Sequence, residues 1–94
     1  MILRLVKMEF RSEEIDNFMT YFYTIQSKIE AMPGLVSLKI YQDIDHPNIV
    51  FTHSIWLNSD FLNNYRKSDT FKIIWTNTKK LFATDANAWS LNLK

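Results

Sequence analysis

The chain carries two histidines, four tyrosines, three tryptophans and no cysteine. Histidine ordinarily titrates near neutrality, so His53, inside an apolar and β-branched run, is the best-placed side chain to accept a proton at neutral pH. Its parity neighbours Phe51 and Ile55 equally suit a packed sheet face, so His53 is either a base or part of that packing. His46 adjoins Pro47 among turn formers, and solvation accounts for it. Arg4 interrupts an apolar strand and shares its parity with Val6 and Met8. If that face meets the helices, its guanidinium points into a pocket lined by Val6, where it can pair with a phenolate or enolate oxygen. The alternative is a salt bridge to a helix or C-terminal carboxylate. Tyr65, at a helix end, can hydrogen-bond a substrate carbonyl or cap the core with its hydroxyl in water. Trp56, Trp75 and Trp89, with Phe22 and Phe71, offer rigid surfaces for an aromatic cavity, or simply core.

Other chemistries lack their residues. Without cysteine there is no thiolate nucleophile, no disulfide framework and no cysteine-based metal site. No His, Asp and Glu cluster has metal-ligand spacing, and Gly34 is the single glycine, so no phosphate loop exists. No Ser, His and acid set has a recognisable nucleophile context. These absences predict no metal and no nucleotide cofactor. Eleven basic residues against ten acidic give a net charge of +1 with no basic stripe, which argues against nucleic acid as a partner. No apolar run approaches the roughly 20 residues needed to cross a bilayer, and Met1 to Phe10 does not read as an export signal. A soluble, cytoplasmic protein with no membrane partner is expected.

At 94 residues, 47% of them hydrophobic, the chain suits one domain over residues 1–94, because two cores would each be marginal. Residues 2 to 10 predict a strand largely buried on both faces. Ser12 is an N-cap candidate, with Glu13, Glu14 and Asp16 where the helix dipole favours negative charge. Ile15, Phe18, Met19, Phe22, Ile25 and Ile29 form one apolar stripe of a helix reaching toward Met32, and Pro33-Gly34 stops it. Leu35 to Asp43 alternates, with Val36, Leu38 and Ile40 on one face and Ser37, Lys39 and Tyr41 on the other. The turn formers Asp45 to Asn48 join it to a second strand, Ile49 to Leu57, as an antiparallel hairpin. Ser59 and Ser68 each precede helical patterns: a short one from Asp60 to Lys67, then one carrying Phe71, Ile74, Trp75, Thr78, Leu81 and Phe82. Ala88 to Leu93 alternates again as a last strand. The order β-α-β-β-α-β predicts an α+β, ferredoxin-like fold, with a four-stranded antiparallel sheet and helices on one face. Leu3, Leu5 and their parity partners would leave an apolar patch on the other face. A two-fold homodimer packed sheet to sheet would cover it, burying about 1,200 to 2,000 Å² or more.

The run Phe51-Thr52-His53-Ser54-Ile55-Trp56, then Phe61 to Phe71, resembles the antibiotic biosynthesis monooxygenase domain, as do Met32-Pro33-Gly34 and Ala88-Trp89-Ser90. The resemblance covers essentially the whole chain. It implies a dimeric α+β barrel whose subunits each hold a small-molecule pocket between sheet and helices. It also implies cofactor-independent oxygenation of electron-rich aromatics, chiefly anthrones and quinols. Such a substrate, once deprotonated, reduces dioxygen itself, while the protein supplies a dry pocket, a proton acceptor and a group that steadies the oxyanion. A related branch degrades haem with an Asn, a Trp and an iron-ligating His, and the gap-free counterparts here are Val6, Tyr65 and Trp75. An indole nitrogen does not ligate iron as imidazole does, so haem is not expected.

Two functions follow from the resemblance. The first is a monooxygenase with Arg4, His53 and Tyr65 as polar pocket groups. The second is a non-catalytic, small-molecule-binding or stress-related dimer of the same fold. An aromatic cavity of about 300 Å³ or more around Arg4 favours the first, and a pocket filled by Trp56, Trp75 and the helix stripe favours the second.

Overall fold

A computed structural model describes residues 1–94. Strand β1 spans Ile2–Glu9. A 3-10 turn at Ser12–Glu14 leads into helix α1, Ile15–Glu30. Ser12 therefore opens the 3-10 turn instead of capping the α-helix. No side chain caps α1, although Asn17 donates from Nδ2 to Glu14 Oε2 at 3.1 Å. The expected stripe is otherwise real: Phe18, Phe22, Ile25 and Ile29 are its buried residues. Gly34 ends the connection at φ 83°, left-handed backbone that side chains rarely adopt, and its carbonyl accepts from the Leu57 amide.

Strands β2 (Leu35–Gln42) and β3 (Ile49–Trp56) form the predicted hairpin. Its turn is organised by Asp43, whose Oδ1 accepts from the amides of Asp45 and His46, both at 2.8 Å. Those bonds, His46's first, hold the Asp43 carboxyl below the usual carboxylate range. Helices α2 (Ser59–Lys67) and α3 (Asp69–Lys79) follow, and β4 (Asn87–Asn92) closes the sheet. Leu81 and Phe82, predicted to continue α3, lie beyond its end. There Phe82 bridges to Phe10, while Arg11 donates to the carbonyls of Lys80 and Phe82.

The sheet order is β2-β3-β1-β4, with every pair antiparallel. Two central, adjacent strands from opposite halves of the chain and helices on one face make this the predicted ferredoxin-like α+β fold. Register assigns the faces. Arg4 pairs with Ser54 and Ser90, and Val6 with Thr52 and Ala88. One residue along, Leu5 pairs with His53 and Trp89, and Leu3 with Ile55 and Leu91, on the opposite face. A bulge between Leu35 and Ser37 takes Val36 out of the alternation, so Leu35, not Val36, packs beside Leu38 and Ile40. The core cluster joins Met8 and Val50 of the sheet to Phe18, Phe22, Ile25 and Ile29 of α1 and Ile74 of α3. Phe10, wholly buried, closes one end against Phe18 at 4.1 Å between ring centroids.

Candidate functional site

The helix-facing side of the sheet does not meet the helices everywhere. A cavity of about 270 Å³ remains between them, fifteen of its twenty lining residues hydrophobic. A liquid water occupies about 30 Å³, so this is room for a compact ligand of a few rings at most.

Its aromatic wall is one continuous train of rings. Trp56 stacks on Tyr65 at 5.2 Å and 25°, Tyr65 meets Phe71 edge-on at 5.2 Å, and Phe71 stacks on Trp75 at 5.9 Å and 11°. Three local devices set this train. Asn58 caps α2 by accepting from the Phe61 amide at 3.1 Å. Ser68 ends α2 and begins α3, its Oγ accepting from the Phe71 amide at 3.1 Å and donating to the Tyr65 carbonyl at 2.6 Å. Trp56 is locked by its own indole, which donates to buried Ser54 Oγ at 3.0 Å. Ser54 in turn donates to the Arg4 carbonyl at 3.4 Å.

Of the residues singled out from sequence, Arg4, Val6, Phe22, Trp56, Tyr65, Phe71 and Trp75 line this one cavity. His53 and Trp89 do not. Strand alternation puts both on the opposite sheet face, each register-paired with Leu5, and corrects the expectation that they belong to the pocket. Trp89 is 44% exposed there. The His53 Nδ1 is buried with no hydrogen-bond partner, and its ring lies edge-on to Tyr41 at 6.1 Å. Sequence reading missed Arg66, Thr52 and Ser54, which also line the cavity, and Ser90, which holds Arg4. The serines and Thr52 stand opposite Arg4 and Val6 only through strand register. Arg66 had one visible signal, its place next to Tyr65 at the end of a short helix.

The titratable groups of the cavity are Arg4, Tyr65 and Arg66, with no carboxylate or imidazole among them. Burial pushes the Tyr65 hydroxyl up to about 12, so it is a proton donor and not a base at neutral pH. Burial, then the positive charge of Arg66, lowers the Arg4 guanidinium from its ordinary value, though an arginine remains charged. Arg4 Nη1 donates to Ser90 Oγ at 2.9 Å. The site is thus an apolar, aromatic box edged by hydrogen-bond donors. Donors of this kind receive an oxygen that gains negative charge. The donor set does not suit haem iron: no imidazole or thiolate faces the cavity, and its phenol is held protonated.

Solved structures share this arrangement of elements. A structure described as an antibiotic biosynthesis monooxygenase superimposes with a TM-score of 0.92 at 13% identity, covering 100% of this chain and 99% of that one. A conserved protein from Methanosarcina mazei Go1 gives 0.91 at 20% identity, with 99% and 93% covered. A protein from Mycobacterium tuberculosis gives 0.89 at 12% identity, with 99% and 94% covered. At such identities the likeness is one of fold. No curated protein matches the chain significantly. The family model for antibiotic biosynthesis monooxygenase matches residues 1–74, through β1, the hairpin and into α3, and so spans most of the cavity's lining. On that match, the chain belongs to the antibiotic biosynthesis monooxygenase family.

Proposed function

We propose that the protein is a cofactor-independent monooxygenase that oxygenates a small, electron-rich aromatic of the anthrone or quinol type. The observation that carries this reading is the aromatic-walled cavity on which Arg4 and Tyr65 meet. Its volume of about 270 Å³ falls just short of the roughly 300 Å³ at which ligand sites begin, so it admits only a compact substrate. In the proposed reaction, written for an anthrone, the acidic ring methylene loses a proton and the carbanion adds dioxygen. The protonated peroxide then loses water to leave a carbonyl. One oxygen atom stays in the product and the other leaves as water, so the substrate supplies all four electrons. Arg4 and Tyr65 stabilise the enolate oxygen of the deprotonated substrate, and the aromatic wall excludes water. Since no carboxylate or imidazole lines the cavity, the proton passes to solvent at the edge where exposed Arg66 stands. His53, on the opposite sheet face, takes no proton in this reaction.

The protein is proposed to act as a single domain over residues 1–94, in the cytoplasm, as a homodimer. Proteins of this family are commonly dimeric, and the uncovered apolar sheet face supports the last point. The chain's helices include none long and apolar enough to cross a membrane.

The missing base favours one rival, a non-catalytic binding module of the same fold, and members of the family can be non-catalytic. The experiment is oxygen uptake by metal-free protein with a panel of anthrones and naphthoquinols. Uptake above the buffer rate, lost in Arg4→Gln, is expected. A panel that binds without consuming oxygen would establish the rival.

A further inference from the structure

The charged groups of the cavity are all positive. Among its twenty lining residues the charged ones are Arg4 and Arg66, and no acid faces them. Neither takes part in an ion pair, because both salt bridges of the chain belong to Arg11, with Glu13 at 3.5 Å and Glu14 at 3.9 Å. The contrast is informative. Arg11, a structural arginine, also donates to two backbone carbonyls. Arg4 offers five N–H donors and uses one side-chain contact, to Ser90 Oγ. A half-buried guanidinium in apolar surroundings is costly unless it is paired, and here a second cation lies close enough to disfavour its charge further. No acid within the fold offsets the two charges, but a bound anion would.

We propose that the cavity takes an aromatic carboxylate, a compact ring system with one ionised acid group that Arg4 and Arg66 hold between them, Arg66 setting the preference for acid over neutral ligand. The inference rests on the reading of this cavity as the substrate site and narrows the substrate to an acid. Geometry suits a carboxylate because its planar pair of oxygens matches the guanidinium fork, and Tyr65 remains a neutral donor beside it. The ring lies against Trp56, Tyr65 and Phe71. Arg66 is exposed at the cavity's edge, so it meets an arriving acid first and contributes to the rate of association as well as to affinity.

The test is an NMR titration of the full chain with 2-naphthoate and with its neutral counterpart 2-naphthalenemethanol, read on the three tryptophan indole N–H signals. Trp56 and Trp75 face the cavity while Trp89 lies on the far side of the sheet, so the signals report where the ligand binds. The expected result is that naphthoate shifts Trp56 and Trp75 but not Trp89, about tenfold tighter than the alcohol, with the preference shrinking as salt rises. Arg66→Gln should keep the alcohol's affinity and lose most of the acid's advantage. Arg4→Gln should likewise lose most of the acid's advantage, which guards against one variant failing to fold. Equal affinity for acid and alcohol, with Trp56 and Trp75 shifting, would overturn this proposal and leave the cavity as a site for neutral aromatics. An acid preference that survives both substitutions would overturn it too. Should neither compound move Trp56 or Trp75, the cavity reading itself fails along with it.

Discussion

Tyr65 lies face-on to Trp56 and edge-on to Phe71, and that burial pushes its hydroxyl from 10.0 up to about 12. The folded chain therefore holds this proton more tightly than the unfolded chain does. The corresponding stability is fully present below pH 10 and disappears as pH rises toward 12. In an ultraviolet titration, one of the four tyrosines should ionise late, around pH 12, and Tyr65→Phe should remove that late step. A titration with no late tyrosine would contradict the burial. If the phenol steadies an oxyanion, Tyr65→Phe should also lower kcat on the order of 10²-fold with little change in KM. At this scale the sequence identified Arg4, Tyr65 and four aromatic rings of the cavity as candidates. It misplaced Trp89 and left His53 between pocket base and sheet-face packing, because a residue's type says nothing about the phase of its strand, and a shift of one residue moves a side chain across the sheet.

The elements hold these side chains through a few junctions. Gly34 has a φ of 83°, and a Cβ at that position would overlap the Phe61 ring, on the first turn of α2. Gly34→Ala is therefore expected to destabilise the fold by about 2 kcal/mol or more, from backbone strain together with displacement of α2. Ser68→Ala removes one cap bond and should cost about 1 kcal/mol. Urea unfolding of both variants checks the order; a Gly34→Ala protein as stable as wild type would mean that α2 shifts freely. Both junctions were visible as sequence signals, Pro33-Gly34 as a stop and Ser68 as a start. The α1 start and the α3 end were not. Ser12 is a good cap residue, but the backbone there tightens into a 3-10 turn. The apolar spacing that predicted helix through Phe82 instead served packing, since Phe82 turns back to bridge Phe10.

Seen whole, the molecule has one sheet face on its core and one bare. Register aligns Leu3, Ile55 and Leu91 in one row and Leu5, His53 and Trp89 in the next, with Tyr41 and Phe51 beyond. Trp89, Leu91 and Tyr41 are 44%, 45% and 49% exposed, so this is an open apolar surface with Lys7 and Lys39 on the same face. The proposed homodimer covers it, enclosing the unpartnered His53 Nδ1. Trp89→Glu would place an unpaired charge in that interface and should weaken dimerisation on the order of 10²-fold or more, while the core, which lies on the other face, stays folded. Sedimentation velocity at micromolar concentration reads this directly. A wild-type chain that runs as a folded monomer would refute the dimer, as would a Trp89→Glu chain that assembles unchanged.

Amphipathic periodicity, caps and turn residues are local properties, and by themselves they determined the order of elements, the hairpin and the α+β class. Partnership across the sheet is not local. Only the tertiary structure decided that Arg4 stands between Ser54 and Ser90, that Val36 drops out at a bulge, and that Arg66 shares a cavity with Arg4 from the other end of the chain. The physical reason is that a strand's pattern specifies two faces but not which one meets the helices. Burial of the whole core makes that choice, and with it fixes which charges are left facing an empty space.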